Sequence, residues 1–241
     1  MLAIDTSAAT SVAILRGDAV LAEVNTAGAM MHVESIGTAI AQALALAGLK
    51  GKDVQAVVVG RGPAPFTGLR VGLAAGTVFA QAVGAQLFGV ASLDALAWSA
   101  LQDPEVLDQV SPRTPLLITA DARRSEVYWA LYSGLSAHGV ALRSDMPAVN
   151  KPAALDDLLI DRNIEAVRVR LREASDLTSL AAVPIGTALG RVAQAQLAEQ
   201  TLSQDTSPLY LRAPDAVLPK PHARYGKAEF SKPVIASEVG K

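Results

Sequence analysis

The sequence predicts an α/β protein with mixed sheets that is built from two related halves. Short apolar strands and helical patterns follow one another in the order βββαβαβα over residues 1–103. A strand that ends in an aspartate, followed by a turn and a returning strand, occurs at residues 2–15 and again at residues 116–132. This weak internal repeat indicates a duplicated unit, with one half at 1–103 and the other at 104–218.

Composition narrows the class of protein. The chain has 241 residues, of which 51% are hydrophobic, so a sizeable core can form. The formal charge of −2 gives no overall attraction for nucleic acid, and the lack of cysteine excludes disulfides and zinc–thiolate sites. The first residues carry no signal pattern, and no apolar run approaches the roughly 20 residues of a membrane helix. We therefore expect a cytoplasmic protein without membrane contact.

Three short apolar segments with tight turns between them predict an antiparallel meander at the start of the chain: 2–7, 11–15 and 20–24. A helix is predicted from His32 to Gly48. Its inner face is apolar, because Ile36, Ile40 and Leu44 recur every four residues.

The stretch 56–72 organises the first half. An apolar run at 56–59 predicts a buried strand, and the glycines and prolines of 60–65 predict a tight loop after it. Thr67 is placed to cap the next helix. A strand, a glycine loop and a helix N-terminus can together hold an anion, although a tight connection without a ligand explains the same spacing.

The helix after this loop carries small residues four positions apart: Gly68, Gly72, Gly76, Ala80 and Gly84. Because glycine costs a helix roughly 1 kcal/mol relative to alanine, something is expected to pack closely against this row. It can be the sheet of the same chain or a helix of a partner. A strand at 87–91 and a helix capped by Ser92 complete the half.

The second half is predicted in less detail. A polar segment at 103–115 joins the halves, and residues 135–149 are expected to be a loop with a short strand. The other predicted elements are strands at 116–121, 127–132 and 167–172 and helices at 152–159 and 185–200. The basic face of the strand at 167–172 is either solvated or an RNA contact. From Pro219 the composition indicates a disordered tail at 219–241.

Few side chains form the pattern of a catalytic site. Asp5 and Asp121 end the two repeated strands and could face one cleft and hold a hydrated cation. Arg123 and Arg124 at the hairpin tip could bind phosphate. Each of these residues also fits an ordinary turn or an exposed charge. The histidines have no metal-ligand spacing, and no nucleophile elbow, Walker loop or dinucleotide fingerprint occurs.

Taken together, these motifs resemble the TsaB (YeaZ) family. The similarity rests on five stretches that occur in the family's order and cover about two thirds of the chain. They are residues 2–7, the Gly-Pro…Phe-Thr-Gly-Leu-Arg run within 60–72, residues 92–97, the Asp-Ala-Arg-Arg…Glu-Val-Tyr run within 121–132, and residues 208–216.

The resemblance implies the actin-like, sugar-kinase-like (ASKHA) superfold with two RNase-H-like halves. It also implies a non-catalytic subunit that binds and activates TsaD, which transfers a threonylcarbamoyl group to an adenosine next to the tRNA anticodon. The ATPase TsaE would join this complex, contact with tRNA would be indirect, and the isolated chain could form a homodimer. No cofactor would be tightly bound, and ATP or ADP would bind only within the complex.

Two sets of residues are assigned on this basis. The TsaD interface would lie on the helices near 36–44 and 68–84, through His32, Ile36, Ile40, Arg70, Gly72, Gly76 and Ala80. A weak nucleotide or cleft site would comprise Asp5, Thr6, Ser7, Gly60, Gly62, Thr67, Gly68, Asp121 and Arg123.

Departures from the family and superfold patterns argue against catalysis by this chain. Ala64 and Pro65 replace a glycine and a serine of the loop, and Ser7 and Arg123 stand where active superfold members have glycine. The chain also lacks the His-x-x-x-His pair that binds metal in TsaD. Two alternatives stay open: a phosphotransferase of the same superfold acting on a small metabolite, and a metalloprotease.

Overall fold

The computed structural model describes residues 1–26, 32–171 and 185–212. The elements of the first half are β1 (Leu2–Asp5), β2 (Thr10–Arg16), β3 (Ala19–Thr26), α1 (His32–Leu46), a 3-10 turn (Gly51–Asp53), β4 (Ala56–Gly60), α2 (Phe66–Val83), β5 (Gln86–Val90) and α3 (Ser92–Ala100). Those of the second half are α4 (Pro104–Gln109), β6 (Leu116–Asp121), β7 (Val127–Leu135), β8 (Ala141–Arg143), β9 (Ala148–Asn150), α5 (Pro152–Asp161), β10 (Val167–Leu171) and α6 (Ile185–Ala198). The tail predicted at 219–241 lies outside the described residues.

Two mixed sheets repeat one topology, which confirms the predicted fold class. The first sheet has the order β3-β2-β1-β4-β5, in which β1 pairs antiparallel with β2 and parallel with β4. The second has the order β10-β6-β7-β8, in which β6 pairs antiparallel with β7 and parallel with β10. The strand-end aspartates Asp5 and Asp121 therefore occupy equivalent places at the ends of β1 and β6.

The elements form five layers. Helices α1 and α2 cover one face of the first sheet, and α5 covers the outer face of the second. Between the sheets lie α3 and α6, which share one apolar core with both of them. Packing does not follow the order of the chain, because α6 lies against β1 and β2 of the first sheet. The division of the chain into two halves and a tail, with boundaries at residues 103/104 and 218/219, stays a prediction.

Some local predictions differ from the structure. The segment at 103–115 contains α4, whose first turn is capped by the Asp103 side chain. The stretch 135–149 holds two short strands, β8 and β9, because both add to β7 at different points along its length. On β10, Arg168 forms an ion pair with Asp156 of α5 at 2.5 Å, so this part of the basic face is paired within the chain.

Two polar clusters connect the layers. In the first, the Tyr132 hydroxyl and Arg143 Nη1 both donate to Asp94 Oδ1, each at 2.8 Å, and so tie α3 to the second sheet. Burial raises the pKa of Asp94, while the charge of Arg143 opposes this shift. In the second, the N-terminus of α6 lies beside Glu23 on β3, and the Thr187 hydroxyl donates to Glu23 Oε2 at 2.6 Å.

Candidate functional site

The carboxylate at the end of β1 is enclosed by the protein's own donors. Asp5 is 0% exposed. Its Oδ1 accepts hydrogen bonds from the backbone N–H of Ser7 at 2.8 Å and from the Ser7 hydroxyl at 2.5 Å. Its Oδ2 accepts from the Ser92 hydroxyl at 2.6 Å. Both oxygens are therefore engaged by neutral donors of the chain itself.

The glycine loop closes over this carboxylate. A Cβ at Gly60 would collide with Asp5 Oδ2, so only glycine fits there. The Gly62 N–H donates to Ser92 Oγ at 3.2 Å, and Gly62 has a φ of +84°. The prediction that Ser92 caps α3 is wrong, because Ala91 holds the N-cap position. The Ser92 hydroxyl instead links Asp5 to the loop.

The second half covers the same loop from outside. Ala64 is 5% exposed, and its carbonyl accepts a hydrogen bond from the Tyr128 hydroxyl at 3.3 Å. The prediction that Thr67 caps α2 is also wrong: Pro65 is the N-cap residue, no side chain caps the helix, and Thr67 is exposed in the first turn. The neighbouring Thr6 hydroxyl donates to the Gly68 carbonyl at 2.8 Å, which fixes α2 to the end of β1.

Asp121 and Asp5 have different surroundings, and the cation site predicted between them stays a prediction. Asp121 is exposed at the end of β6, where its carboxylate accepts from the Arg123 N–H at 2.9 Å and pairs with the Arg123 guanidinium at 3.5 Å. Among the described residues, no three acidic or histidine side chains come together as a metal site.

The hairpin tip after β6 has an unusual backbone. Arg123, Arg124 and Ser125 have φ values of 63°, 54° and 60°. Non-glycine residues rarely take this conformation, which costs about 1–2 kcal/mol per residue. The tip is held by the Asp121 side chain and by a hydrogen bond from the Glu126 N–H to the Arg123 carbonyl at 3.1 Å. All three tip residues are exposed.

Residues 203–212, here named the C-terminal strap, cross from the first half to the second. On the first half, Arg61 forms an ion pair with Asp205 at 2.7 Å, and the Leu209 N–H donates to the Arg61 carbonyl at 2.8 Å. On the second half, Arg212 pairs with Glu126 at 3.1 Å and donates to the Ala122 carbonyl at 2.7 Å. Sequence patterns gave no sign of these partners.

Near its end the strap completes an exposed group, here named the aromatic–arginine cluster: Phe66, Arg70 and Tyr210. The Arg70 Cζ lies 3.5 Å from the Phe66 ring centroid and 5.8 Å from that of Tyr210. The two ring centroids are 5.0 Å apart. Arg70 Nε donates to the Tyr210 hydroxyl at 2.8 Å. Phe66 and Tyr210 are each 42% exposed.

The glycine row of α2 faces the protein's own sheet. A Cβ at Gly72 would collide with the Thr6 hydroxyl, and a Cβ at Gly76 would collide with Val59 Cγ1. The orientation predicted for these two glycines, outward to a partner, is therefore wrong. Ile36, Ile40 and Ala80 are likewise buried in the core of the chain, at 8% exposure or less. They therefore offer little surface to a partner. Of this predicted set, Arg70 is exposed.

A different face of the same two helices is open. Exposed residues with small or apolar side chains line it: Ala41, Ala45 and Leu46 on α1 and Ala74, Val78 and Ala82 on α2. Val78 is 64% exposed and Leu46 68%. By length and composition alone, the 18 residues of helix α2 would suffice to cross a membrane, a test that a helix packed on a protein core also passes. Its buried face packs on β1, β4 and β5.

Sequence comparisons give two kinds of match. Residues 25–166 match the family described as TsaD, tRNA N6-adenosine threonylcarbamoyltransferase. An uncharacterized protein of Mycobacterium tuberculosis is 36% identical, over 90% of this chain and 93% of that protein. The tRNA threonylcarbamoyladenosine biosynthesis protein TsaB of Escherichia coli is 32% identical, over 57% of this chain and 56% of its own.

A solved structure shows the same fold. YeaZ from Pseudomonas aeruginosa superimposes with a TM-score of 0.65 at 25% identity, covering 87% of this chain and 98% of that one. The superfold expected from the sequence motifs is therefore confirmed, together with the mixed sheets described above.

Proposed function

Because this chain belongs to the TsaB (YeaZ) family, whose relatives are named as tRNA threonylcarbamoyladenosine biosynthesis proteins, we propose that it is the non-catalytic partner of TsaD. In this role it binds and activates TsaD in the cytoplasm, and TsaE joins the pair. This chain binds no cofactor tightly by itself, and ATP or ADP can bind only within that complex.

The enclosed carboxylate of Asp5 carries the non-catalytic part of this proposal. An ATPase or phosphotransferase of this superfold needs an open place at the end of the first strand, where a metal ion and phosphate oxygens can approach. Here Ser7 and Ser92 use both carboxylate oxygens, and Gly60 leaves no gap beside them. Binding a hydrated cation would require these hydrogen bonds to break inside a buried site, with a penalty of about 1–3 kcal/mol for each group left unsatisfied.

The open face of α1 and α2 is the surface we assign to TsaD. Its small side chains allow close approach of partner helices, and its exposed valine and leucine supply apolar area for burial. The same face can pair with a second copy of the chain when TsaD is absent, because a two-fold interface uses one patch twice.

Co-expression with TsaD of the same source, followed by affinity capture and sizing, tests this assignment. Val78→Asp places a charge in the middle of the open face and is expected to abolish co-purification. Ile160→Asp is the matched control, since Ile160 is 74% exposed on α5, at the far side of the second half. Normal capture of TsaD by the Val78→Asp protein would contradict the interface.

The isolated chain is expected to turn over no ATP. Sustained ATP hydrolysis, lost in an Asp5→Asn variant, would instead favour the phosphotransferase alternative and overturn the non-catalytic role.

A further inference from the structure

We propose that the aromatic–arginine cluster is a direct contact for a nucleotide in the anticodon region of the tRNA substrate. The inference rests on the proposed function, because RNA is brought to this chain by its TsaD partner. It goes beyond the indirect contact with tRNA that the family resemblance implies. Two features support it, the geometry of Arg70 and the charge around it.

The guanidinium of Arg70 is fixed in position by its neighbours. Its guanidinium lies 3.5 Å above the Phe66 ring, and the Tyr210 hydroxyl fixes its Nε at 2.8 Å. Among the described residues, Nε is the one guanidinium nitrogen of Arg70 that is hydrogen-bonded, which leaves Nη1 and Nη2 as a fork. A fork with a fixed plane binds two phosphate oxygens at once and loses little side-chain entropy in doing so.

The aromatic rings beside this fork add a stacking surface. Phe66 and Tyr210 are each 42% exposed although they contact each other and Arg70. Unpaired bases of RNA loops stack on aromatic rings and on arginine planes, and each stacked base contributes about 1–3 kcal/mol. The cluster therefore matches the two parts of a nucleotide, a base and its phosphate.

The strap brings further arginines close to this cluster. Tyr210 and Arg212 are two residues apart, so their Cα atoms lie within about 7 Å. Arg212 contacts both ends of the hairpin tip, since it donates to the Ala122 carbonyl and pairs with Glu126. Between these two residues, Arg123 and Arg124 are exposed.

The local charge is positive in a chain that is acidic overall. The three segments that meet here, 61–70, 121–126 and 203–212, contain five arginines and three carboxylates. The whole chain has a net charge of −2. The excess of arginine over carboxylate in these segments favours an anionic partner such as RNA.

The test measures RNA affinity and TsaD binding separately. The probe is a fluorescein-labelled anticodon stem-loop RNA with adenosine next to the anticodon, titrated with the purified pair of this chain and TsaD and followed by fluorescence anisotropy. Arg70→Gln and Tyr210→Leu are each expected to weaken RNA binding about fivefold or more while the pair stays intact. Tyr210→Phe keeps the ring but frees Arg70, and is expected to have a smaller effect.

Arg113→Gln is the matched control, since Arg113 is exposed before β6, at the opposite end of that strand from the hairpin tip. It is expected to leave RNA binding unchanged. Unaltered RNA affinity of the Arg70 and Tyr210 variants would overturn the inference and leave the TsaD partnership standing. Loss of TsaD capture without any loss of RNA affinity would show that the cluster contacts protein, which also overturns it. Failure of the wild-type chain to bind TsaD would contradict the proposed function instead.

Discussion

Gly76 has no room for a side chain, because the helix that carries it lies directly on the first sheet. Its nearest neighbour is a methyl group, Cγ1 of the fully buried Val59 on β4. Gly76→Ala is therefore expected to lower the free energy of unfolding by about 1–3 kcal/mol, since neither the helix nor Val59 can move without disturbing the core. Urea unfolding of the purified variant measures this loss.

Gly37 on α1 provides the opposite case. It is exposed, and a Cβ there would meet nothing within 4 Å. Gly37→Ala gains helix propensity and is expected to stabilise the chain by up to about 1 kcal/mol. If Gly76→Ala proved as harmless as Gly37→Ala, the close contact between α2 and β4 would be refuted.

Helix α6 begins against a carboxylate that comes from another element. Glu23 on β3 accepts from the Thr187 hydroxyl at 2.6 Å and from its N–H at 3.4 Å, so it caps the helix from outside. The Ser11 hydroxyl accepts from the Gly186 N–H at 2.8 Å beside it. Burial raises the pKa of Glu23 above its ordinary value of 4.5, although these hydrogen bonds oppose the shift.

This raised pKa predicts how stability depends on pH. As the pH rises from below 4.5, the unfolded chain releases the Glu23 proton first, so the free energy of unfolding falls until the folded protein has also released it. Glu23→Gln cannot titrate and is expected to lack this fall. Urea unfolding of both proteins across acidic to neutral pH should give curves that converge in acid and separate toward neutral pH. Parallel curves would contradict a buried, capping carboxylate.

The whole molecule is held together across its two halves by the strap as well as by the central helices. Truncation after Leu202 removes the Arg61–Asp205 and Arg212–Glu126 pairs and uncovers Phe66. We expect it to lower the melting temperature by at least about 5 °C, since a net hydrogen bond contributes about 1 kcal/mol.

Truncation after Leu218 keeps the strap and is the control. It is expected to leave the melting temperature nearly unchanged, because the sequence beyond that point is rich in proline and lysine without apolar periodicity. A fall of several degrees would show that 219–241 packs on the fold. Equal melting temperatures for both truncations would show that the strap contributes nothing to stability.

The sequence by itself determined the order of strands and α-helices in the first half, the repeated strand–aspartate pattern and the family. Apolar periodicity and turn residues act between neighbours in the chain, so the meander at 2–24 and the helix starting at His32 could be predicted from local patterns. The repeated strand–aspartate–turn pattern also predicted that β1 and β6 hold equivalent places in two sheets.

Tertiary structure alone decided which residues meet and which face is open. Both sides of α2 carry small residues, so the four-residue spacing of its glycines could not show which side meets the sheet. The hydrogen bond from Ser92 to Asp5 joins residues 87 positions apart, and Arg70 to Tyr210 spans 140. Such contacts leave no local pattern, because they arise only when packing brings distant segments together. For that reason the sequence did not show that the protein's own donors enclose the carboxylate of Asp5. It did not predict the aromatic–arginine cluster either.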